Sequence, residues 1–180
     1  MLNITVPSLE LYDDVNNLFI NTKETKLCLE HSLVSISKWE SKWNKPFLSK
    51  DQKTIDETID YVKCMTITQN IDNNVYKCLS KENIKDINEY IDAPMTATTF
   101  YDTRKNVGHK EIITSELIYY WMISLNIPME CQRWHLNRLL TLIRICNIKN
   151  DPGKKMSRNE IMSRNAALNA ARRKKFNTRG

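Results

Sequence analysis

Apolar positions alternate over the first twenty residues and then change period. Ile4-Thr5-Val6, Leu9-Glu10-Leu11-Tyr12 and Leu18-Phe19-Ile20 read as extended segments. Asp13-Asp14-Val15-Asn16-Asn17, between the last two, is rich in turn formers. The pattern predicts strands and a small β-hairpin. A lone hairpin is marginal in water, so it needs a helical layer behind it. From about Cys28 the spacing becomes helical: Leu29, Leu33, Ile36, Trp39 and Trp43 recur, with Lys38, Glu40 and Lys42 among them. Pro46 ends that helix.

Ser49-x-x-Gln52 and Thr54-x-x-Glu57 each fit a capping box, of which one is the true helix start. Ile55, Ile59, Val62 and Met65 then make one apolar face. Short helices are predicted around Val75–Leu79 and Ile84–Ile91. Pro94 interrupts, Met95 to Phe100 suits an extended segment, and Tyr101 to Lys110 suits a surface loop. The most hydrophobic stretch is Ile112 to Ile148. Its first part, through Leu125, is too apolar for an exposed helix. Asn126-Ile127-Pro128 makes a tight connection, with Pro128 at the first position of a second helix. That helix runs through Trp134, Leu139, Leu140, Ile143 and Cys146, with Arg133, Asn137, Thr141 and Arg144 as its wet stripe. This helical hairpin is expected at the centre of the core.

Asp151-Pro152-Gly153 breaks the chain, and Ser157-x-x-Glu160 is a capping box worth about 1 kcal/mol. Asn165 to Ala171 is rich in Ala, the best helix former. The large apolar groups of this last segment are Ile161, Met162, Leu168 and Phe176. A helix so thin in apolar surface depends on another surface for most of its stability. The expected fold is therefore α+β and mainly α. A small N-terminal β-hairpin packs on a helical domain over residues 1–150, and a basic helical arm follows over 151–180. There are no internal repeats.

Charge sharpens that division. Residues 1–150 hold 18 Lys+Arg against 19 Asp+Glu, while residues 151–180 hold 9 against 2. The formal +6 of the chain belongs to its last thirty residues. A near-neutral body with a cationic arm points to binding or assembly. Only 3 Gly and 5 Pro argue against a loop-rich sandwich. No apolar run approaches the length that spans a bilayer, and Met1 to Pro7 does not read as a signal peptide. An intracellular product without a membrane partner is expected. Five cysteines without a C-x-x-C read as reduced, mostly buried thiols.

Candidate chemistry is sparse. Cys131 and His135 are four apart on the predicted core helix, but zinc needs two further ligands, and His31 and His109 lie in distant segments. No G-x-S-x-G, P-loop, G-x-G-x-x-G or H-E-x-x-H occurs. Asp56, Glu57 and Asp60 favour the helix dipole and solvent. Read as a helix-turn-helix, Glu111–Ile148 would present Met129, Glu130 and Cys131 to DNA, where a carboxylate is unfavourable. Trp39, Trp43, Pro46 and Phe47 invite a partner, although two tryptophans four apart are more often a packing ridge. The basic C-terminus offers non-specific, salt-sensitive contact with nucleic acid, a solvated tail, or docking on an acidic protein surface.

Leu29 through Trp43, followed by Lys45-Pro46-Phe47-Leu48, resembles a family of small tailed-bacteriophage proteins. So do Met95-Thr96-Ala97-Thr98-Thr99-Phe100, the stretch Glu111 to Ile148 with Tyr119-Tyr120-Trp121 and Trp134-His135-Leu136-Asn137-Arg138, and the ending Arg164-Asn165 through Gly180. The likeness covers most of the chain and is closest to tail assembly chaperones. It implies a non-enzymatic role in the host cytoplasm without a cofactor. The partners it implies are the tape-measure protein and the tail-tube protein that polymerises around it. Homo-oligomerisation is left open. The residues expected to meet a partner are Trp39, Trp43 and Phe47, and on the arm Ile161, Leu168, Arg172, Arg173, Lys174, Lys175 and Phe176. A structural virion component, such as a connector or tail subunit, is the alternative. A nucleic-acid-binding regulator acting through the arm is the second.

Overall fold

A computed structural model describes residues 1–13, 18–100, 112–150 and 158–176, without the side chains of Asp13, Leu18, Asn159, Glu160, Ile161 and Lys174. The expected turn at 14–17, the loop at 101–110, the break at 151–153 and the Ser157 cap lie outside the described residues. The fold is α+β and mainly α. The chain divides into two units, Met1–Ile145 and Cys146–Gly180.

Four strands open the first unit: β1 (Leu2–Val6), β2 (Glu10–Asp13), β3 (Leu18–Asn21) and β4 (Thr25–Leu29). β1 pairs antiparallel with β4, Ile4 opposite Leu27, and β2 with β3, Leu11 opposite Ile20. The two ladders share one register but form separate two-stranded sheets, with a break at Pro7 and Ser8. Leu9 and Thr22 resume the pairing, with Thr22 N–H donating to Leu9 O at 2.9 Å. Ile4, Val6, Leu27 and Leu29 are buried on one face. The helical reading from Cys28 is thus corrected: Cys28 and Leu29 end a strand, and Leu29 reaches the core by alternation with Lys26 and Cys28. The segment after the second helix closes the free edge of β4, Ile67 N–H donating to Cys28 O at 2.8 Å.

α1 (Leu33–Trp43) starts at Ser32, whose N–H donates to Ser35 Oγ at 3.0 Å. It stops at Asn44, in the left-handed region at φ 52°, before Pro46 is reached. α2 (Ile55–Met65) begins at the Thr54–Glu57 box, with Glu57 N–H on Thr54 Oγ1 at 3.2 Å and Thr54 N–H on Glu57 Oε2 at 2.8 Å. Its buried face is Glu57, Asp60, Tyr61, Val62 and Met65, whereas Ile55 is 79% exposed, so the expected apolar face is rotated. A 3-10 turn (Asn73–Cys78) and α3 (Lys81–Asp92) follow, the latter packing on β1. Residues 95–100 form no strand, and Met95 has φ 48°.

α4 (Ser115–Ser124) buries Ile118 and Met122 but exposes Tyr120 and Ile123, against the expectation that this segment is too apolar for an exposed face. The second helix does not run on from Pro128. A 3-10 turn (Met129–Arg133) comes first, Trp134 is extended, and α5 (Leu136–Asn150) starts afterwards. The break lets His135 bridge Ser32 and lets Leu136 N–H donate to His31 O at 2.9 Å. Leu136, Leu139 and Ile143 are buried on α5. α6 (Arg158–Phe176) is the helix of the second unit beyond α5.

Candidate interaction surfaces

The tryptophan segment is the seam between α1 and α2. Trp39 stacks on Trp43 at 6.2 Å and meets Phe47 edge-on at 5.1 Å, and Phe47 lies 3.9 Å from Tyr61. Trp39 is 1% exposed and Phe47 8%, so both are core; Trp43 is half-buried. The indole N–H groups are used inside the chain, Trp39 Nε1 donating to Glu57 O at 2.8 Å and Trp43 Nε1 to Asp60 Oδ2 at 3.0 Å. Lys42 pairs with Asp60, and Lys45 with Glu57 at 2.6 Å. The expectation that Glu57 and Asp60 favour solvent is therefore corrected: both are buried, each against a lysine. The Lys45 ammonium, with the Thr54 N–H, holds the Glu57 carboxyl below its ordinary range. Lys53 lies over the Phe47 ring at 4.5 Å.

Glu40 carries no sign of a special role in the sequence. Its buried carboxylate accepts from Phe47 N–H and from Ser115 N–H, both at 2.7 Å. It thereby ties the end of α1 to the first turn of α4, whose dipole favours a negative charge. A polar residue among lysines on a helix gives no periodic sign of such burial.

The histidines assemble a second polar cluster. His31 Nδ1 is 2.6 Å from Tyr61 Oη, which lies 3.4 Å from Ser35 Oγ. His135 accepts from Asn137 N–H at Nδ1 (3.3 Å), which assigns the proton to Nε2 and makes it the donor to Tyr90 O at 2.9 Å. The two imidazoles are 5.0 Å apart. Burial, aided by His135, pushes His31 down to about 4, and burial lowers His135 against the pull of the Tyr90 carbonyl. Burial pushes the Tyr61 hydroxyl up. Asn137, expected on a wet stripe, instead donates to Ile91 O and Ala93 O at the end of α3.

Cys131 and His135 do not share a helix face, because the chain is extended between the turn and α5. Among the described residues no group of three or more His, Cys, Asp or Glu is arranged to hold a metal ion. A cleft of about 550 Å³ beside the start of α1 includes Lys38, Cys64 and Arg133 in its lining. Burial raises the Cys64 thiol, which disfavours the thiolate form a nucleophile needs.

In α6, every side chain that is described is exposed, including Leu168 (47%), Arg172, Arg173, Lys175 and Phe176 (67%). The side chains of Ile161 and Lys174 lie outside the described residues. Leu168, Arg172 and Phe176 fall four apart and share a helix face. Arg172 to Lys175 occupy the last turns, where cations suit the helix C-terminus. The structure thus separates the predicted site residues: Trp39, Trp43 and Phe47 pack within the first unit, and Leu168, Arg172, Arg173, Lys175 and Phe176 are exposed to solvent.

Comparison with protein-family models, curated proteins and solved structures returns no match. No helix among the described residues is long and apolar enough to cross a membrane.

Proposed function

We propose that the chain is a bacteriophage tail assembly chaperone, working in the host cytoplasm by reversible binding of tape-measure or tail-tube subunits. The observation that carries this reading is α6, a 19-residue helix whose described side chains are all exposed. The likeness of the segments from Leu29 onward to phage tail proteins supports it. A helix with four consecutive cations and isolated apolar groups suits an acidic protein surface that carries its own apolar patches. Trp39 and Phe47 contribute by shaping the body, and Trp43 is the member of that group with remaining exposure.

Co-expression with tape-measure and tail-tube proteins tests the proposal. The full chain should capture at least one of them, and the full chain with Arg172, Arg173, Lys174 and Lys175 all changed to Glu should capture neither. Loss of capture by both forms, with normal tails made in the absence of the gene, would remove the reading. Mass spectrometry of purified particles separates a chaperone, which should be missing, from a virion component, which should be present in fixed stoichiometry. The regulator alternative expects retention on DNA that fades as salt rises.

A further inference from the structure

The β2–β3 ribbon is a two-stranded sheet of its own. Among the described residues β3 pairs only with β2, which leaves the outer edge of β3 without a ladder partner. Tyr12 is 51% exposed and Phe19 67%, and they pair across the ribbon at 5.0 Å between ring centroids. A two-stranded ribbon is marginal in water, and an open edge is a template for another strand. Edges that avoid association carry Lys, Pro or a bulge. Here residues 1–22 hold no Lys or Arg, and Leu18-Phe19-Ile20-Asn21 has neither charge nor Pro.

We propose that the outer edge of β3 pairs antiparallel with the same edge of a second copy of this chain. The strand order is then β2-β3 of one protomer followed by β3-β2 of its partner, around a two-fold axis. Charge selects this arrangement. β2 carries Glu10 whereas β3 carries no charged residue, so pairing through the β2 edges would bring the acidic strands of both copies next to each other. Through the β3 edges, the acidic strands stand three strand spacings apart, roughly 14 Å. That exceeds the screening distance of about 8 Å at physiological salt. The observed register places Tyr12 opposite Phe19 on one face and Leu11 opposite Ile20 on the other. With Phe19 of one protomer opposite the partner's Phe19, the two tyrosines and two phenylalanines make one continuous aromatic row across four strands. A fully extended sheet of four strands also has the width that a lone ribbon lacks.

The inference uses no residue of α6, so it stands or falls apart from the proposed function. Sedimentation of the full chain over a wide concentration range should show a reversible monomer–dimer equilibrium. Phe19→Lys should raise the dissociation constant about tenfold or more, because it removes the aromatic pair and sets like charges opposite each other. Phe19→Cys under mild oxidation should give a dimer linked through residue 19, as mapped by mass spectrometry, in preference to the linkage given by Asn21→Cys. The cysteine pair keeps the test open if Phe19→Lys perturbs folding. A monomer at every concentration, a dimer indifferent to both Phe19 changes, or a ladder of open-ended oligomers would overturn the proposal. So would a foreign strand binding a chain that stays monomeric.

Discussion

Glu40 binds two backbone amides from separate segments, and its carboxylate is hidden from water. Removing it strands two donors in the interior. Glu40→Ala should therefore lower unfolding stability by about 3 kcal/mol, read as a reduced urea midpoint at unchanged slope. Glu40→Gln keeps one acceptor oxygen and should cost less. His31 sets the pH response. It titrates at about 4 in the folded chain against 6.5 when free. Between those values the unfolded chain binds a proton that the folded chain refuses. Stability is complete above the unfolded value and falls as pH drops toward the folded one, by about 3 kcal/mol for such a shift. Urea midpoints measured on both sides of that window should show the loss, and His31→Gln should reduce it, leaving the part that His135 contributes. Glu57, held low by Lys45, adds a further loss in more acidic solution. Neither residue was legible in sequence. Burial of a polar side chain depends on partners distant along the chain: Ser115 for Glu40, Tyr61 and His135 for His31.

Elements were legible where period and caps agreed. The Thr54 box, the short helices before Pro94 and the buried stripe Leu139–Ile143 all follow from local signals. The failures have physical causes. β4 was hidden because Leu29 and Leu33 are spaced as on a helix, although Leu27 and Leu29 alternate as on a strand. The break before α5 was hidden because Pro128 starts a helical turn as readily as a helix, and the extended Trp134–His135 step is held by His31 and Ser32 from another region. α6 was legible in both its helicity and its exposure, since Ala and a cationic last turn favour the helix and few apolar groups favour burial. That same balance makes it weak. Its amides should exchange with solvent about a hundredfold or more faster than those of Leu139 and Ile143, measured by hydrogen exchange of the full chain. A bound partner should slow the α6 amides selectively.

At the scale of the molecule, the proposed role gives the charge and the apolar surface of α6 two separable contributions. In that role the cations would raise the rate of encounter with an acidic surface, an effect that salt screens. Leu168 and Phe176, both exposed, would add contacts that form only after docking and that salt does not weaken. The two contributions predict different kinetics with a captured tail protein. Changing Arg172, Arg173, Lys174 and Lys175 to Glu should slow association about tenfold or more while altering dissociation less. Leu168→Ser combined with Phe176→Ser should leave association nearly unchanged and speed dissociation about tenfold, as expected from losing two partly buried apolar groups. Biosensor traces at low and high salt read both effects. Nucleic acid, which attracts through phosphates alone, should respond strongly to the four charge changes and to salt, and little to the serine pair. A partner whose dissociation ignores Leu168 and Phe176 is therefore held by charge only, and the chaperone reading of α6 fails with it.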